Sequence, residues 1–188
     1  MVDAGGATAS AEIQISVHGA WDAPVAHLDL NYALSDNGNG VRVDAQGLVL
    51  RNDTDVDNGD HLTVTAVGTG IPTSNPTLNV VAAGSSSSSN ATVLIGTYGT
   101  LTLGADGSYS YVIDVNNPTV VGLTGRQFRL DEFSYQVTDA GGLHDVGRLS
   151  IIVRGRNDAP LPTHDSAVAV EAGGDQNTSA GVTQTATY

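Results

Sequence analysis

The sequence predicts an all-β sandwich of about seven antiparallel strands. Three features carry that expectation. Short β-branched runs alternate with period two, turn residues (Gly, Asn, Asp) separate them, and long apolar runs at 3.6-residue spacing are missing. Of the 188 residues 23 are Gly, and Lys is absent.

Period-two alternation places strands at Glu12–Val17, Val41–Leu50, Leu62–Val67, Thr97–Leu103, Ser108–Ile113, Glu132–Val137 and Arg148–Val153. The clearest local element is G-T-L-T-L-G-A-D-G-S-Y-S-Y-V-I-D, Gly99–Asp114, where two alternating runs flank G-A-D-G. It reads as a hairpin with Gly107 in the left-handed conformation. Leu101, Leu103, Tyr109, Tyr111 and Ile113 then face the core, opposite Phe133, Tyr135, Val137, Leu149, Ile151 and Val153. The arrangement is an immunoglobulin- or cadherin-like sandwich. Gly68–Asn90, with Pro72, Pro76 and the run Ser85–Ser89, reads as a long flexible loop, with Leu78–Ala82 as a short edge strand inside it.

Two distant stretches match without a gap at an offset of 136 residues: D-A-G-G-A-T-A-S-A-E-I-Q-I-S-V-H-G-A-W-D-A-P at 3–24 and D-A-G-G-L-H-D-V-G-R-L-S-I-I-V-R-G-R-N-D-A-P at 139–160. A self-match at fixed spacing marks a repeat architecture. Residues 1–26 are then the tail of one repeat, 27–160 a complete repeat, and 161–188 the head of a third, expected to be largely disordered. The tail resembles the last strands of the complete repeat and could compete for their place, which would give swapped dimers.

Net charge is −13. That field repels phosphate backbones and excludes nucleic acid as a natural partner. Of 20 acidic residues 17 are Asp, the acid suited to tight loops and to loop-held cations. There is no Cys, so a small secreted domain needs another staple, and a metal ion is the obvious one. Apolar runs are too short to span a membrane.

The sharpest chemical signal is N-D-T-D-V-D-N-G-D, Asn52–Asp60. Its carboxylates Asp53, Asp55, Asp57 and Asp60 fall at i, i+2, i+4 and i+7. At ~5 Å and an effective dielectric of ~20, each like-charge pair costs roughly 3 kcal/mol before screening. A divalent cation reverses that sign, and an all-oxygen donor set without Cys or a His pattern favours Ca2+. The loop is not an EF-hand: Gly59 comes one place late, and the twelfth position is Val64 rather than Glu.

V-L-R-N-D-T-D-V-D-N-G-D-H-L-T-V-T-A-V, G-T-Y-G-T-L-T-L-G-A-D-G-S-Y-S-Y, D-E-F-S-Y-Q-V-T-D-A-G-G and G-R-N-D-A-P, in order over about residues 44–160, resemble the VCBS repeat of giant RTX-type bacterial surface adhesins. That resemblance implies a cadherin-like sandwich, tandem repetition, type I secretion to the cell surface, and a role in adhesion or biofilm formation. Neighbouring repeats, and host or matrix surfaces, are the implied partners. Gly68–Asn90 is longer than the usual connection in that family. The chain is also similar to cadherins. T-D-A-G-G at 138–142 is similar to their A-x-D-x-G motif, Leu130-Asp131-Glu132 to their acidic L-D-R-E segment, and Asn157-Asp158-Ala159-Pro160 to their linker. The similarity adds Asp131, Asp139, Asn157 and Asp158 as calcium ligands, while Gly155 and Ala159 replace two polar linker positions.

Enzymatic readings find little support. No G-x-S-x-G elbow exists, His18, His27, His61, His144 and His164 lack zinc spacing, and no glycine pattern makes a phosphate loop. Asp131 and Glu132 are neighbours in a strand and face opposite ways, unlike a glycosidase pair. The chain is therefore expected not to be an enzyme. The runner-up is a carbohydrate-binding module, with Tyr98 and the 68–90 loop as its candidates.

Overall fold

The computed structural model describes residues 2–155 except 3, 9, 36–41, 58 and 74–76. Its strands are β1 (Leu28–Leu34), β2 (Ala45–Leu48), β3 (Thr63–Thr69), β4 (Asn79–Val80), β5 (Thr92–Ile95), β6 (Gly99–Leu103), β7 (Ser108–Ile113), β8 (Phe128–Thr138) and β9 (His144–Arg154), with one helical turn α1 (Pro118–Val121) before β8. They form a five-stranded sheet, ordered β1-β9-β8-β3-β4, and a four-stranded sheet, ordered β2-β7-β6-β5. The all-β sandwich is as expected. Its strands number nine among the described residues, and one pair, β1 with β9, is parallel.

The alternation that predicts the strands also builds the core. All eleven residues expected to face inward are buried, drawn from β6 and β7 on one side and β8 and β9 on the other. Tyr111 meets Phe133 edge to face, with ring centroids 6.1 Å apart. The β6–β7 hairpin turns where expected, with Gly107 at φ +78°.

β1 escapes sequence reading because its alternation is inverted. Leu28, Leu30 and Tyr32 are exposed, while the polar residues between them turn inward. Asn31 donates to the Tyr109 hydroxyl at 2.8 Å, and Asp29 accepts from the Tyr135 hydroxyl at 2.9 Å. α1 was hidden by its shortness. Asn117 caps it by accepting from the Thr119 N–H, and Pro118 sits at its first position, where no N–H is needed.

The serine run is a correction. Ser85 is buried, and its Oγ accepts from the Ala105 N–H at 2.9 Å. Ser86 and Ser89 close a tight backbone turn, and the Ser87 N–H donates to the Ser108 Oγ. This part of 68–90 is packed against the β6–β7 turn rather than a flexible loop, because small hydroxyl side chains satisfy backbone groups there. The short edge strand falls at β4, beside β3.

A second correction concerns Asp131, expected as a metal ligand. Its buried carboxylate accepts from the Thr97 N–H at 2.9 Å, the Tyr98 N–H at 2.8 Å and the Tyr111 hydroxyl at 2.7 Å. These bonds latch the β5–β6 turn of one sheet to β8 of the other, and both carboxylate oxygens are used. Burial and the Asp131 charge together push the Tyr111 phenol far above its ordinary range. No helix among the described residues is long and apolar enough to cross a membrane.

Asp131→Ala leaves two N–H groups and a buried phenol without their acceptor. It is expected to lower the unfolding free energy by about 3 kcal/mol or more, measured by urea denaturation. A loss below about 1 kcal/mol would mean that water takes over the three bonds.

Candidate metal centre

The acidic loop leaves the 3-10 turn at Val49–Arg51 and runs extended toward β3. Extended backbone sends alternate side chains to opposite sides. Asp53, Asp55 and Asp57 are accordingly half-buried, while Thr54 and Val56 are exposed. Gly59, at φ +86°, then turns the chain so that Asp60 points back toward the domain.

Three carboxylates meet at this end of the sandwich. One oxygen each from Asp55, Asp60 and Asp139 lies within 4.8 Å of the other two. The three share a common design. Asp55 Oδ1 accepts from the Asp57 N–H at 2.8 Å, Asp60 Oδ1 from Ala140 N–H at 3.1 Å, and Asp139 Oδ1 from Leu143 N–H at 2.7 Å. The second oxygen of each, Oδ2, is buried and has no hydrogen-bond partner. Asp139 is only 6% exposed, so water has poor access to its orphan oxygen.

Three carboxylates that approach so closely, each with a buried and unsatisfied oxygen, are expensive for a fold to keep. At that spacing each pair repels by roughly 3 kcal/mol with an effective dielectric of ~20. The donor set suits a hard divalent cation, since oxygens bound to one Ca2+ at about 2.4 Å cannot be more than twice that distance apart. The carboxylates therefore fit calcium. Further oxygens would complete its usual six to eight ligands.

The other expected ligands are placed differently. Asp53 turns toward the Tyr135 hydroxyl and accepts from the His27 N–H at 2.8 Å. Asp57 Oδ2 accepts from the Asp22 N–H at 2.9 Å. Asp131 is committed to its latch, eight residues back along β8 from Asp139, about 26 Å at strand rise. Asn157 and Asp158 lie outside the described residues. Tyr98 packs partly buried against the core, so it offers no exposed platform for a sugar.

The segment before β1 is laid across this end of the domain. Val25 and Thr54 exchange two backbone bonds, 2.8 and 3.1 Å, and the Ala26 N–H donates to Asp145 at 2.9 Å. The Trp21 indole lies over Gly141, where a Cβ would come within 2.9 Å of the ring. The only sequence hint of this docking was the repeated G-x-x-D-A-P.

Beside the metal centre lies a second polar group that sequence reading missed. The Tyr135 hydroxyl has Asp29 Oδ2 at 2.9 Å and His27 O and both Asp53 oxygens at 3.1 Å. A phenol has one hydrogen to donate, so the acceptors outnumber it. Burial, then the Asp53 charge, push the Asp29 carboxyl up to about 7, against the opposing pull of the Tyr135 bond. Burial also raises Asp53, although the His27 N–H and Tyr135 hydroxyl bonds hold it down.

A raised carboxyl means that the fold holds the proton more tightly than the unfolded chain does. Its contribution is fully present below 3.8 and is lost as pH rises through about 7. In chelator, urea unfolding of the natural chain should therefore weaken across that window more steeply than that of Asp29→Asn. Parallel pH profiles would show that Asp29 titrates alike in the folded and unfolded chain.

No curated protein matches the chain. A family model does, from Trp21 on the acidic end to Gly155 just after β9, and it covers the sandwich with its docked leading segment. The chain belongs to the bacterial cadherin-like domain family, whose members are structural and adhesive modules.

Proposed function

We propose that this domain is a calcium-binding structural repeat of a large bacterial surface adhesin. It acts as a stiff extender between neighbouring repeats in cell adhesion or biofilm formation. The single observation that carries the calcium part is the set of three orphan oxygens on Asp55, Asp60 and Asp139. Family membership supports an extracellular, adhesion-type role. The resemblance to VCBS repeats of RTX-type adhesins, carried by type I secretion, supports the finer assignment.

The site and the joint share one place. Asp55 and Asp57 belong to the loop that receives Asp22 and Val25, and Asp139 opens the turn against which Trp21 lies. Calcium there would supply the positive charge that the three carboxylates lack. Asp55 would then hold the loop, and Asp139 the β8–β9 turn, to a common point, fixing the leading segment between them. Without that charge, repulsion pushes the loop and the turn apart and frees the joint. Asp53 supports from behind, held by His27 and Tyr135. A carbohydrate-binding role has no comparable observation in its favour.

Calcium at one hundredfold above its Kd should stabilise the domain by about 2.7 kcal/mol, a rise in Tm on the order of 10 °C. Asp139→Asn keeps an oxygen for the Leu143 N–H but removes one repelling charge. In chelator it should melt above the natural chain, and its calcium-dependent shift should vanish. Asp57→Ala should keep most of the shift, because that carboxylate serves the Asp22 N–H. Differential scanning calorimetry reads all three proteins. Equal melting of the natural chain with calcium and with chelator would end the proposal.

A further inference from the structure

The N-terminal segment carries the information of a strand it does not form. Residues 10–24 contain no strand, although Glu12–Val17 was expected to be one. Ile13, Ile15 and Val17 are 83%, 79% and 89% exposed. Their counterparts at the 136-residue offset are Leu149, Ile151 and Val153 of β9, which are 1%, 0% and 0% exposed. Three apolar side chains at alternate positions, all in water, indicate a missing sheet.

Local geometry agrees with the repeat. Val2 and Thr8 form an antiparallel bridge, and their counterparts Thr138 and His144 are the last pair of the β8–β9 ladder. Gly6 has φ +85° and its counterpart Gly142 has φ +88°. The segment thus keeps the tip of a β8–β9 hairpin. It also keeps a steric requirement out of context. A Cβ on Gly155 would collide with the Leu123 carbonyl, whereas one on Gly19, its counterpart, would meet nothing.

Two residues say which sheet is missing. At the place of Gly147 the segment has Ala11. A Cβ on Gly147 would overlap the Tyr135 ring, so Ala11 does not fit the β9 position of this domain. At the place of Arg148, which pairs with Glu132, the segment has Glu12. In this domain that would set two carboxylates against each other across the sheet. A second copy of this chain is therefore a poor host for the segment.

We propose that residues 12–17 are the last strand of a different, non-identical cadherin-like repeat. They would insert between its first strand, in parallel, and its penultimate strand, antiparallel. That host sandwich carries a smaller side chain where this domain has Tyr135, and a basic one where this domain has Glu132. Strand fit then acts as a code that keeps identical domains from exchanging strands while completing the proper neighbour. The inference rests on the tandem-repeat part of the proposed function and is independent of calcium.

The test uses the full 188-residue chain, refolded from denaturant over a concentration series in chelator, which removes the metal centre from the outcome. Sedimentation velocity reads association, and amide exchange reads residues 12–17. The natural chain should remain monomeric, with those amides exchanging freely. Ala11→Gly with Glu12→Arg restores both features of β9 and should yield a concentration-dependent dimer, with the 12–17 amides slowed by about tenfold or more. Adding Ile15→Asp to that variant should return it to monomer. All changes lie in an exposed segment, so the sandwich itself should fold in every variant. The proposal is overturned by a natural chain that dimerises with 12–17 protected. It is equally overturned by a double variant whose amides there stay unprotected.

Discussion

The β8–β9 ladder is the constraint on which the rest of the domain depends. Eleven consecutive residue pairs join Phe128–Thr138 to His144–Arg154. β1 adds to its β9 edge and β3 to its β8 edge, so four of the five strands in the larger sheet take their register from it. A one-residue slip would turn Phe133, Tyr135, Val137, Leu149, Ile151 and Val153 outward together. The ladder also sets the chemistry. Asp131 sits toward its start and is spent on joining the two sheets, and Asp139 follows its end and keeps an unpartnered oxygen.

At the cluster of Asp55, Asp60 and Asp139, backbone N–H groups do the positioning. Asp55 and Asp139 each accept one such bond at Oδ1 and Asp60 accepts two, from His61 and Ala140, while Oδ2 of each is left without a partner. Carboxylates held this close repel one another, and a cation between them would reverse that repulsion. Asp29 and Asp53, crowded around one phenol, add to the negative potential at the same end.

The same end receives the leading segment, so the acidic cluster and the docked residues 21–26 share one place. Trp21 and Asp22 occupy the places of Asn157 and Asp158 in the repeat. The structure seats the former pair against the acidic loop and the β8–β9 turn of the domain that follows them. The eight expected ligands were one set in the sequence because each is an acid or amide in a turn or strand end. Among the described ones, Asp131 is set apart along β8, while Asp53 and Asp57 share the loop but accept from other groups.

The sequence alone determined the sandwich, the β6–β7 hairpin, eleven core positions and the self-match at an offset of 136 residues. Those features rest on local rules: alternation for burial, glycine for a left-handed turn, and self-similarity for repetition. Asp55, Asp60 and Asp139 were legible as candidates from spacing and resemblance. Only the tertiary structure decided that these three converge, that Asp53 and Asp57 are engaged elsewhere, and that β1 shows its apolar side chains to solvent. Which oxygens meet depends on contacts between residues 80 or more positions apart, such as Ala140 to Asp60. No local pattern encodes them, because they arise only when two sheets close around one core.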